Sequence, residues 1–96
     1  MIELLERIYV VLGGNPNDLQ AATDAESAMT IITNYWNAHG LPSGLSLSVR
    51  SQLVADVDGT QSLLNSAPST VSASAVTNFR SVLSAIRAQA VLPDGP

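Results

Sequence analysis

The chain has 96 residues, enough for one small domain with one core, and its formal charge of −4 comes from eight acids against four bases, all arginine. A scattered Arg7, Arg50, Arg80 and Arg87 cannot form the basic stripe that neutralises nucleic-acid phosphates or an anionic membrane surface, so both partners are excluded from the expected function. Without cysteine there is no disulfide and no thiolate metal site. Hydrophobic residues make up 46% of the chain and aromatics only 4%, a composition that packs Leu, Val, Ile and Ala between helices.

The first predicted helix is Ile2 to Leu12, apolar on most of its circumference with Glu3, Glu6 and Arg7 on one narrow polar strip. Two acids stand where a secretory signal carries bases, and the apolar run is far short of the ~20 residues of a membrane span, which predicts a soluble chain made in the cytoplasm. Gly13 and Gly14 end this helix. Asn15 as cap, Pro16 at the first helical position and Asp18 in the first turn then open a second helix expected over residues 16 to 39. Its stripe is Leu19, Ala22, Ala25, Met29, Ile32 and Trp36, widened by Ala28, Ile31 and Tyr35.

Gly40 and Pro42 close that helix, and Leu41 to Gly44 is a turn. Leu45-Ser46-Leu47-Ser48-Val49 alternates with strand period, while Leu45, Val49, Leu53 and Val57 recur at helical spacing over a longer run, so a helix is preferred. Asp58-Gly59-Thr60-Gln61 is expected to kink this helix or to end it. Pro68 breaks the chain, and Ser69 or Thr70 caps a last helix whose stripe is Ser72, Val76, Phe79, Leu83, Ile86 and Ala90. Leu92 to Pro96 cannot continue a helix, leaving a tail over 93–96. The expected fold is all-α: a single domain over 1–96, a small antiparallel bundle of three main helices plus the shorter apolar first one.

Three stretches invite a chemical reading. Asp56-Val57-Asp58-Gly59-Thr60 resembles the first motif of the haloacid dehalogenase superfamily, a likeness that implies a nucleophile at Asp56, a general acid and base at Asp58, and a bound magnesium. That family also needs a downstream lysine, a further acidic pair and a doubly wound sheet. This chain has no lysine, only Asp94 beyond the motif, and too little length for the sheet, so the roles do not carry over. A calcium loop fails as well, since it needs Gly at Gln61 and Glu at Ala67. Gly13-Gly14-Asn15-Pro16 is a helix-to-helix turn; Pro16 lacks an amide donor and Asp18 repels anions. No catalytic, cofactor or metal residue is assigned.

Asn34 to Gly40 holds the only Trp and the only His. On helical spacing Tyr35, Trp36 and His39 form one patch at a helix end, a surface of the residue types that dominate binding hot spots. The first helix, with Leu5, Ile8 and Val11, exceeds what three amphipathic helices readily hide and is expected to be covered by a partner. Together these predict a non-enzymatic structural or assembly subunit, oligomeric or held in a larger complex such as a virion (a capsid cement or head-tail protein). The alternative is a small helical adaptor or regulator that takes a partner's helix in a groove.

Overall fold

Five α-helices and, among the described residues, no strand make up the chain in a computed structural model that describes residues 2–66, 69 and 71–91. They are α1 (Ile2–Leu12), α2 (Pro16–Gln20), α3 (Ala25–His39), α4 (Leu47–Leu64) and α5 (Ala73–Ala90).

The α1 terminus follows from its two glycines. The Gly13 amide donates to the Val10 carbonyl at 3.0 Å and the Gly14 amide to the Tyr9 carbonyl at 2.9 Å, the paired bonds of a Schellman ending. Gly13 supplies the positive φ of 107° that this ending requires. Gly14 is needed for space, because a Cβ there would collide with the Tyr9 ring.

Asn15 caps α2 as expected, its side-chain oxygen accepting from the Asn17 amide at 3.0 Å. The helix expected over 16–39 is two helices, however. It stops at Gln20 and restarts at Ala25, where the Asp24 carboxylate accepts from the Ser27 amide at 2.7 Å. Asp24 thus gives that amide the partner a continuous helix would have drawn from the backbone. The break lets α2 fold against both α1 and α3, with Leu19 buried. Gly40, at φ 67°, ends α3 as expected.

Helix α4 settles the strand-or-helix question of its segment. Ser46 caps it by accepting from the Val49 amide at 3.2 Å, and the strand-like alternation leads nowhere, since Leu47 and Val49 both face solvent. Asp58-Gly59 does not end it or start a new helix: α4 continues to Leu64. Gly59 lies where α1 crosses, and a Cβ there would stand 3.3 Å from Leu4 Cδ1, so the glycine permits close approach.

Helix α5 is capped by Ser72, which accepts from the Ala75 amide at 3.2 Å, rather than by Ser69 or Thr70. Ser72 therefore heads the helix instead of joining its buried stripe, and its hydroxyl ties α5 to α3 by donating to Glu26 Oε1 at 2.9 Å. Phe79, Leu83, Ile86 and Ala90 are buried as expected. Pro68, Thr70 and the tail Leu92 to Pro96 lie outside the described residues.

Packing runs α1 on α3 and α4, α4 on α5, and α5 back on α3, with α2 against α1 and α3. The chain's own helices thus flank α1, and Leu5 and Ile8 have no exposed surface at all. Their expected place on an interface with a partner gives way to a place in the chain's own core, because α3 and α4 pack against α1. Val11 differs, being only partly buried against this core.

Candidate functional site

The structure brings Tyr35, Trp36 and His39 to one end of α3 and adds a residue the helical wheel could not supply. Tyr35 stacks on His39 with ring centroids 4.4 Å apart and a 38° tilt. Tyr9 of α1 also meets Tyr35, edge to face, at 5.3 Å and 79°. Tyr9 is buried, and its hydroxyl donates to Asp18 Oδ2 of α2 at 3.0 Å. Burial, seconded by the hydrogen bond and the charge of Asp18, pushes the Tyr9 phenol above its ordinary value. One tyrosine therefore links α1, α2 and α3. Trp36 packs half-buried against the core, while His39 stays exposed. No hydrogen bond joins His39 to a serine hydroxyl or a carboxylate among the described residues, and its position in the last turn suits the helix dipole.

The two acids of Asp56-Val57-Asp58-Gly59 point apart, as residues two steps along a helix must. Asp56 turns inward toward α1, its side chain only 4% exposed, with Gln52 Nε2 donating to Oδ1 at 3.0 Å and Arg7 Nη1 3.8 Å from the same oxygen. Asp58 turns toward α5, where Arg87 Nε donates to Oδ1 at 2.9 Å and Nη2 to Oδ2 at 3.5 Å. A nucleophile and its acid partner cannot face one substrate from opposite sides of a helix. No group of three or more His, Asp or Glu is placed to hold a metal among the described residues.

A groove of about 490 Å³ runs between the outer side of α1 and α4. Val10, Val11 and Pro16 supply its apolar wall, and Glu3, Glu6 and Asp56 its carboxylates. Val10 is 49% exposed although it sits on a helix whose other side is fully packed. Periodicity alone hides this feature, because the opposite wall comes from a helix some forty residues away; its signal was Val10 beside the Glu3, Glu6, Arg7 strip. A second, smaller hollow of about 330 Å³ lies where the start of α4 meets the end of α5, beside Leu47, Val54 and Val91. No helix is long and apolar enough to cross a membrane among the described residues.

No protein family, curated protein or solved structure matches the chain.

Proposed function

We propose that the chain is a non-enzymatic protein-interaction domain, a small antiparallel helical bundle that works as an adaptor by receiving part of a partner protein along the α1–α4 groove. The observation carrying this reading is Val10: 49% exposed, on the one side of α1 that the chain does not cover, and continuous with Val11 and Pro16. Burial of Leu5 and Ile8 within the chain favours a self-sufficient fold with an open groove over a subunit that needs a neighbour to hide its first helix. The test is co-purification from the native source with wild type and Val10→Glu, each checked for helicity by circular dichroism. A partner retained by wild type and lost from the folded variant supports the reading; a partner profile unchanged by the substitution removes it.

Constitutive incorporation into an assembly, such as a virus particle, keeps one observation of its own. Leu47 and Val91 are 72% and 55% exposed and share the second hollow, an apolar surface where the start of α4 meets the end of α5. Under this reading Leu47→Ser with Val91→Ser dissociates the assembled form in light scattering; a wild type monomeric at high concentration and unbound in its source refutes it.

A further inference from the structure

The α1–α4 groove carries an inference about its occupant, one that rests on the adaptor reading. We infer that it takes a basic amphipathic helix of a different protein, whose apolar face lies on Val10, Val11 and Pro16 and whose lysine or arginine reaches Asp56. Three carboxylates, Glu3, Glu6 and Asp56, line the groove against one cation, Arg7. Asp56 is nearly without solvent contact, yet its nearest cation stands 3.8 Å away, well beyond the ~2.8 Å of a charge-assisted hydrogen bond. Both contacts fall on Oδ1, and the Arg7 side chain is itself 60% exposed. A carboxylate that keeps little solvent, and is held by one amide and a guanidinium beyond hydrogen-bond reach, is stabilised by a cation delivered from outside.

The same charges decide among occupants. A second copy would bring a net −4 chain to an acidic groove, and its arginines already serve its own fold, Arg7 beside Asp56, Arg80 on Gln61 and Asn65, and Arg87 on Asp58. Phosphate-bearing partners meet the same repulsion. A helix fits the shape because the groove runs along α1 from Glu3 to Val10, about 10 Å or two turns, so a ligand helix can set its apolar residues on Val10, Val11 and Pro16 and its basic residues one to two turns away beside Glu3 and Glu6.

The experiment uses the full chain and two synthetic amphipathic peptides with the same leucine face, one carrying lysines on its polar face and one glutamates. Calorimetry should show the lysine peptide binding on the order of tenfold or more tightly than the glutamate peptide, with the preference shrinking as salt rises. Asp56→Asn should weaken the lysine peptide on the order of tenfold. Since Asp56 is buried, Glu3→Gln with Glu6→Gln provides the second variant; these side chains lie outside the core, and a several-fold loss is expected. Equal binding of the two peptides, no binding of the lysine peptide, or affinity untouched in both folded variants overturns the inference. Loss of the native partner in Val10→Glu together with equal binding of the peptides would overturn the charge chemistry alone and leave the adaptor reading in place.

Discussion

Truncating Leu5 and Ile8 to alanine is the sharpest test of where α1 belongs. Both side chains are fully buried between α3 and α4, so each substitution removes transfer free energy and leaves a cavity, a loss of about 2–5 kcal/mol apiece. A domain of 96 residues has a total stability of roughly 5–14 kcal/mol, so either change consumes a large share and lowers the melting temperature by at least roughly 8 °C. The two residues are one turn apart and line one cavity, so the double variant should lose less than the sum, yet enough to be largely unfolded at room temperature. Urea titration followed by circular dichroism measures the loss, and light scattering on the same samples reports the association state. If wild type is an oligomer that the substitutions merely dissociate into equally stable monomers, α1 is an interface helix and does not belong to the core of the chain.

Gly14→Ala should destabilise strongly, by more than the ~1 kcal/mol of an ordinary helix terminus, because the added methyl displaces the Tyr9 ring that links three helices; retention of the wild-type urea midpoint would show that ring free to move. Gly59→Ala has two opposed terms: a gain of up to ~1 kcal/mol in helix propensity, and a push of a few tenths of an ångström on the end of Leu4, a half-buried flexible side chain, so a net gain is expected, and a loss above ~1 kcal/mol would mean that Leu4 is locked. Ser72→Ala should cost about 1 kcal/mol through the lost cap, with extra amide exchange at the start of α5, and unchanged exchange there refutes the cap. Because the Tyr9 phenol is raised in the fold, the unfolded chain releases that proton first; stability should be level below about pH 10 and fall above it, and Tyr9→Phe should remove that fall in alkaline urea titrations.

Local chemistry was legible where a single residue decided the backbone. Gly13, Asn15, Pro16 and Gly40 stand at helix ends as their conformational preferences require, and the stripe from Phe79 to Ala90 lies buried as its spacing indicates. Two readings failed because local and tertiary signals share the same letters. Asp24 can sit in a helix or cap one, and apolar spacing continues in phase across the break, so periodicity cannot see it. Asp58-Gly59 carries turn chemistry in isolation, but packing of α1 against α4 favours a small residue in mid-helix and overrides the propensity. The aromatic patch was half legible: Tyr35 and His39 follow from helical spacing, whereas Tyr9 reaches them only through the fold.

The apolar circumference of α1 has a further consequence for function. A helix packed against α3 on one side and α4 on another has spent Leu5, Ile8 and Leu12 on its own chain, so those residues cannot also meet a partner. What remains is the row Glu3, Glu6, Arg7 and Val10, spaced by three, four and seven and therefore on one face. In the sequence that row reads as a solvated strip, the side of least interest. In the fold it is the edge of a groove in which exposed valine and buried carboxylate meet, because α4 brings Asp56 up beside it. The surface available to a partner is thus the polar strip of α1, and the apolar face that first suggested an interface is what holds that strip in place.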